Sequence, residues 1–311
     1  MHQARLENIT RRLGPAIGLF GLGAVLSFLS PAFLTVDNIL NVFRQVSVIS
    51  IIAAGETFVI LTGGIDLSVG SVLGLCGVLL AAVLKGTGNT LLGVLTGVGL
   101  GAFLGYSNGI LISKGKLPPF CATLGMMAIA RGLAFVYTQG KPISGFGSMF
   151  RFFGSGYIGP IPVPIVIAVG LFAVVFYVLT QTIAGRCIYS LGSNETATRL
   201  SGIKTDYYKT LVYVICGLFV GIAAVVFTAR INSGHPLAGQ GYELDSIAAV
   251  VIGGTSLSGG EGTIIGTFIG ALIMGVIRNG LNLVNVDPFW QQVAIGAVII
   301  VAVLADRRGK Q

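Results

Sequence analysis

Residues 183–209 read IAGRCIYSLGSNETATRLSGIKTDYYK, a long polar segment set between two strongly apolar blocks. Arg186, Arg199, Lys204 and Lys209 make it basic. Within it, Asn194 is a good helix N-cap, because its side-chain oxygen accepts a free backbone N–H of the first turn. Glu195 and Arg199 follow four apart with the acid first, the favourable order for a surface pair. Gly202 then supplies the residue that turns left-handed and ends the helix. A helix of about two turns is far too short to be stable alone in water. Flanked by apolar spans, it needs another surface to hold it. The segment is either a solvated connector with a helical turn or a docking knob for a soluble partner. On the second reading Ala197 and Leu200, three apart on one face, are the contact.

Composition sets the solvent. The 311 residues are 54% hydrophobic and 10% charged, with a mean hydropathy of +0.90, where soluble domains carry about 25% charged residues. The chain therefore reads as an all-α membrane protein whose first partner is membrane lipid. Its 47 glycines fit close helix–helix approach in a bilayer. The net charge of +8 lies in loops between apolar spans, so no nucleic-acid partner is expected. Cys76, Cys121, Cys187 and Cys216 lack CxxC or Cys/His spacing and read as reduced structural thiols. The only histidines are His2 and His235, which gives no metal site. No phosphate-cradling G-x-x-x-x-G-K-[ST] or nucleophile G-x-S-x-G occurs. No catalytic residue and no cofactor are expected in this chain, which is not read as an enzyme.

Ten apolar segments follow one another, at roughly 15–33, 46–64, 68–84, 90–113, 119–137, 161–182, 210–230, 244–256, 262–280 and 289–305. Most are near the roughly 20 residues a bilayer demands; the eighth is short. The first, preceded by Arg5, Arg11 and Arg12, resembles a signal peptide, and Arg11-Arg12 weakly a twin-arginine signal. Without an Ala-x-Ala cleavage site it reads as an uncleaved span. Ten spans place both termini on one side. With the termini inside, twelve of the nineteen basic residues are cytoplasmic: those of the N-tail and the 183–209 loop, with Lys114, Lys116, Arg307, Arg308 and Lys310. Arg44, Lys85, Lys141 and Arg151 fall outside, which agrees with the positive-inside rule.

Two turns repeat. Residues 61–71 read LTGGIDLSVGS and residues 251–261 read VIGGTSLSGGE. Gly63, Gly64, Leu67, Ser68 and Gly70 match Gly253, Gly254, Leu257, Ser258 and Gly260 at constant offset. Both follow spans that run outside-to-inside, so the repeat is parallel, an arrangement known in transporters. The run LSGGE at 257–261 also resembles the signature of ABC ATPases, an accidental match in a chain without a phosphate cradle. Glu56 and Arg131 lie within spans, where a charge marks an ion pair, a polar cavity or a pathway; structural pairing is the expectation. Asp66, beside Ser68, can cap the third span. Asn41 and Gln45 precede span two at the outer side, and Asn108, Asn279 and Asn282 lie in or near spans. As amides they suit sugar hydroxyls, although isolated intramembrane asparagines more often bond across helices. No run of intramembrane acids offers a proton relay, which counts against an ion-coupled transporter, and scattered acids count against a membrane enzyme.

GIDLSVGS at 64–71, LGSNETATRLSGI at 191–203 and GYELDSIAAVVIGGTSLSGG at 241–260 closely resemble permease subunits of bacterial ribose-type ABC importers. The resemblance runs from about residue 26 to residue 306. It implies a homodimeric permease in the bacterial inner membrane, working with a cytoplasmic ATPase that binds ATP and Mg²⁺ and with an extracytoplasmic sugar-binding protein. It also implies that residues 194–202 are the coupling helix seated in the ATPase. Ribose is the first expectation for the cargo; permeases for other monosaccharides, autoinducer-2 and nucleosides look similar.

Overall fold

A bilayer offers the backbone no hydrogen-bond partner, so an apolar chain must satisfy its peptide groups internally, and a helix does so within one segment. The computed structural model describes the backbone of residues 2–308 and the side chains of residues 14–301, 303 and 304. Arg5, Arg11, Arg12, Arg307, Arg308 and Lys310, on which the charge count partly rests, lie outside the described side chains. The chain runs through α1 (His2–Leu29), α2 (Val36–Leu61), α3 (Val69–Thr87), α4 (Thr90–Ser113), α5 (Pro119–Thr138), α6 (Ser148–Ser155) and α7 (Val163–Gln181). It continues through α8 (Ile183–Ser193), α9 (Glu195–Leu200), α10 (Thr205–Ile231), α11 (Tyr242–Ile252), α12 (Ile264–Leu283) and α13 (Pro288–Arg308). Among the described residues, α2 to α5, α7, α10 and α12 are long and apolar enough to cross a membrane. In α1 and α13 the apolar stretches are shorter, Gly14–Leu29 and Pro288–Val301.

Helix α2 is the axis of the molecule. Every residue from Val46 to Leu61 is buried, as expected of a helix that is apolar all round. It starts ten residues before its apolar run, because Thr35 caps it through Asn38 N–H and Asp37 sits in its first turn, where an acid suits the helix dipole. Asn41, Arg44 and Gln45 therefore lie inside the helix, not in a loop ahead of it. Hydropathy misses such a polar first third.

Against α2 packs a pair of helices that meet backbone to backbone. Gly97, Gly101, Gly105 and Gly109 line one face of α4 at four-residue spacing, and α10 presents Gly217 and Gly221. A Cβ at Gly105 would meet the carbonyl oxygen of Tyr213; one at Gly101 would meet that of Gly217. Small residues at this spacing let membrane helices gain dispersion contact where no hydrophobic force between them exists.

The bundle contains two buried non-helical breaks, one between α2 and α3 and one between α10 and α11. Residues 62–68, read from the sequence as a short turn, bury Asp66 and Ser68, which are 2% and 1% exposed. They fold back along α2, and the Asp66 N–H donates to Glu56 Oε1 at 3.0 Å. The second break precedes α11, whose 11 residues cover only about 16 Å. Residues 232–241, which fall between the apolar segments at 210–230 and 244–256, enter the bundle. From a two-residue antiparallel pairing of Ser233–Gly234 with Ile143–Ser144 they pass Gly77, Gly74 and Gly70 of α3. Arg131 Nη1 of α5 donates to the carbonyls of Pro236 at 2.6 Å and Ala238 at 3.0 Å. Non-helical backbone at this depth is tolerated only where protein satisfies it, and Glu56 and Arg131 do so for the two breaks. They do not pair with each other, and Glu56 has no basic partner among the described residues.

Both α2 and α11 end in a Schellman turn. Gly63 (φ +74°) is left-handed and the Gly64 N–H returns to Val59 O at 3.1 Å; Gly254 (φ +88°) is left-handed and the Thr255 N–H returns to Val250 O at 3.2 Å. The left-handed residue is the first glycine of one pair and the second of the other. The two turns are thus one residue out of register with the sequence match.

Gly105→Ala should destabilise the chain by about 1–3 kcal/mol, as overpacking does, because the methyl meets backbone. Gly99→Ala should be neutral or gain up to about 1 kcal/mol of helix propensity, since an added Cβ there finds nothing within 4 Å. Thermal unfolding of the two variants in detergent distinguishes a packed α4–α10 face from a loose one.

Candidate functional site

The chain gathers its functional candidates at one end of the bundle and in a buried polar core beside it. At that end the 183–209 segment folds as two helices, where the sequence suggested one. Thr182 caps α8 through Gly185 N–H, and Cys187, Ile188 and Leu191 bury its inner face. Their i, i+1, i+4 spacing was the available signal, masked by the surrounding polar residues.

Helix α8 holds both repeat turns. Gly192 fits against the Leu61 carbonyl and the Gly260 backbone, where no Cβ has room. The Gly260 N–H donates to Leu61 O at 2.9 Å, and Tyr189 Oη donates to Gly262 O at 2.9 Å. The 61–64 turn, with Gly63 and Gly64, and the 253–262 segment, with Gly253, Gly254 and Ser258, are thereby joined to α8 in one unit. Phe176, Thr180 and Tyr189 border a cavity of about 600 Å³ against this segment.

Helix α9 hangs from that unit. Asn194 Oδ1 accepts from Ala197 N–H at 2.9 Å, and buried Thr198 donates its hydroxyl to Ser190 O of α8 at 2.9 Å. Gly202 is left-handed at φ +83°. Glu195 receives Arg199 Nη2 and Lys209 Nζ, each at 2.7 Å. The second bond ties α9 to α10 and was not foreseen. Lys209 above all, with Arg199, holds the Glu195 carboxyl below its ordinary range against the opposing effect of partial burial. Ala197 is exposed, and Leu200 is 84% exposed. Leu200 is thus an open apolar side chain on a helix held at its back and at its N-terminus.

The polar core connects residues far apart in sequence. Asp66 Oδ1 accepts from Ser68 N–H at 2.8 Å and Ser68 Oγ at 2.6 Å. Asn108 Nδ2 of α4 donates to Ser68 Oγ at 3.0 Å, and Cys216 Sγ of α10 donates to Glu56 Oε2 at 3.5 Å. Glu56, Asp66, Ser68 and Asn108 thus form one network at the first break. Arg131 stands apart at the second. Asn41 and Gln45 share a cavity of about 240 Å³ with Arg44, Tyr157 and Arg230 at the opposite end. Asn279 makes a reciprocal amide pair with Asn38, and Asn282 accepts from Gln291 at 2.8 Å; both bind helix to helix. Asp245, not singled out from the sequence, is 1% exposed and accepts from Arg278 at 2.6 Å between α11 and α12. All four cysteines are free thiols.

The chain is 49% identical over 304 residues to the ribose import permease protein of Bacillus subtilis (strain 168), covering 97% of this chain and 94% of that protein. It is 47% identical to the ribose import permease protein of Escherichia coli (strain K12), over 94% of this chain and 92% of the other. The D-allose transport system permease protein of the same strain is 42% identical, over 91% and 88%. No solved structure matches. The family described as branched-chain amino acid transport system / permease component matches residues 38–303. The seven helices long and apolar enough to cross a membrane agree with that match, and the chain belongs to this family of transport permeases.

Proposed function

We propose that this chain is the membrane subunit of an ATP-driven importer that passes a monosaccharide, ribose, from an extracytoplasmic binding protein into the cytoplasm. The observation that carries the reading is the similarity, at 47% identity or above and over more than nine-tenths of this chain, to proteins named as ribose import permeases. In this reading the chain does no chemistry. Two copies form the pathway, and a separate ATPase binds ATP and Mg²⁺. In this reading there are ten spans, counting α1, α13 and the short α11 with the seven longer helices, and both termini and the α8–α9 end lie in the cytoplasm, as the distribution of basic residues favours. The parallel repeat would put the 61–64 and 253–262 turns on that same side, where α8 bridges them.

Helix α9 is the coupling helix. Asn194, Glu195, Arg199 and Gly202 shape it, and Ala197 and Leu200 enter the ATPase. Because α8 touches the end of α2 and the Gly260–Gly262 stretch between α11 and α12, a displacement of α9 reaches these helices through short contacts. Glu56, Asn108, Arg131, Asn41, Gln45, Asn279 and Asn282 are the polar residues of the span region. Of these, Asn41 and Gln45 have free amides facing a cavity and are the best placed to meet a sugar.

The test is ribose uptake into proteoliposomes holding this chain and its ATPase, with binding protein outside. Uptake should require ATP and the ATPase. Uptake by this chain alone under an ion gradient would contradict the reading. Ala197→Arg should leave insertion and thermal stability unchanged while ATPase co-purification and uptake are lost; retention of both at wild-type level would make α9 a connector.

Glu195 gives a pH dependence. A carboxyl held below its ordinary value stabilises the fold above the unfolded range, and that contribution is lost as pH falls through the folded value. These pairs are partly exposed and screened, so they are worth less than about 1 kcal/mol. Amide exchange of residues 197–200 should be about two- to fivefold faster in Glu195→Gln than in wild type. That ratio should be constant at neutral pH and fall toward one only as the pH drops below the ordinary carboxylate range and through the lowered folded value.

A further inference from the structure

Between the ends of α4 and α10 nearest α9 lies a cavity of about 650 Å³. Its floor is apolar: Tyr106 and Ile110 come from α4, Leu211 and Val214 from α10. Tyr106 is 48% exposed. Its rim is basic, with Lys114 at the end of α4, Lys204 just before α10, and Arg199 of α9. Asp206 also stands at the rim, but its carboxylate is taken by Lys116 at 2.9 Å. Glu195 of α9 is shared by Arg199 and Lys209. Lys114 and Lys204 have no acidic partner among the described residues.

This arrangement has the polarity of a phospholipid. The apolar floor lies along membrane-crossing helices, and the cations lie where those helices end, the depth of a headgroup phosphate. Basic pockets between spans recognise anionic headgroups, each basic residue near the surface contributing about fivefold in affinity. A zwitterionic lipid brings its own ammonium and gains less from unpaired lysines. A small soluble anion leaves the apolar floor bare.

We propose that this groove binds an anionic phospholipid, with its phosphate between Lys114 and Lys204 and its acyl chains along Tyr106, Ile110, Leu211 and Val214. The headgroup then sits beside Arg199, so the charge of the surrounding leaflet acts on the helix that carries Ala197 and Leu200. The inference rests on the chain's embedding in a membrane and not on the identity of its cargo.

Native mass spectrometry of the full chain, released from nanodiscs of phosphatidylglycerol or of phosphatidylcholine, reads retained lipid directly and needs neither ATPase nor sugar. Wild type should retain phosphatidylglycerol preferentially. The double variant K114Q/K204Q should bind it about 25-fold more weakly, whereas K114R/K204R should keep it. Both lysines are exposed, so neither pair of substitutions threatens folding, and unchanged thermal midpoints check this. Millimolar inorganic phosphate should leave the lipid bound. Equal retention of phosphatidylcholine, unchanged binding in K114Q/K204Q, or displacement by inorganic phosphate would each overturn the assignment.

Discussion

Every peptide group buried away from water needs a partner, and this chain buries two non-helical breaks between its helices. An unsatisfied backbone group in hydrocarbon costs several kcal/mol, so the breaks exist only because named side chains close them. Arg131 supplies donors to two carbonyls of the 232–241 segment. Glu56 supplies an acceptor to the Asp66 N–H. A charged side chain within a span reads by default as an ion pair or a ligand group. Here each instead serves the main chain, and each break begins or ends beside a helix whose glycines admit the extended backbone.

Much of this was legible in the sequence, for physical reasons that can be named. Long apolar runs located seven crossing helices, since hydropathy measures what the bilayer selects. Asn194, the Glu195–Arg199 spacing and Gly202 are local devices, so α9 was readable from nine residues. The breaks were not. Residues 62–68 and 232–241 are polar or glycine-rich, and nothing local distinguishes a solvated loop from backbone satisfied by a distant Arg131 or Glu56. The α4 glycine ladder is visible as spacing, but its partner on α10 is over a hundred residues away. Helix α8 was hidden because only its inner face is apolar. The start of α2 was misplaced for the opposite reason: a capped polar first turn is helix without being hydrophobic.

The site candidates divide along the same line. Asn108, Glu56, Asp66 and Ser68 were singled out one by one, and the fold joins them in a single network. Asn279 and Asn282, chosen by the same rule, proved to be helix-to-helix amides. Residue type at membrane depth therefore marks importance without separating a staple from a contact. What the fold adds at the other end is connection. Gly192 of α8 lies against the close of α2 and the turn after α11, and Lys209 fastens α9 to α10, so an exposed six-residue helix is linked through short bonds to three spans.

The central claim is that buried polar side chains hold the broken backbone in place. Hydrogen exchange of the amides in residues 237–242, measured on Arg131→Met against wild type, tests it most directly. Hydrogen bonds to charged groups are worth about 1.5–3 kcal/mol, so exchange there should accelerate about tenfold or more while the amides of α4 and α10 keep their protection. Unchanged exchange at residues 237–242 in a folded Arg131→Met protein would contradict the account.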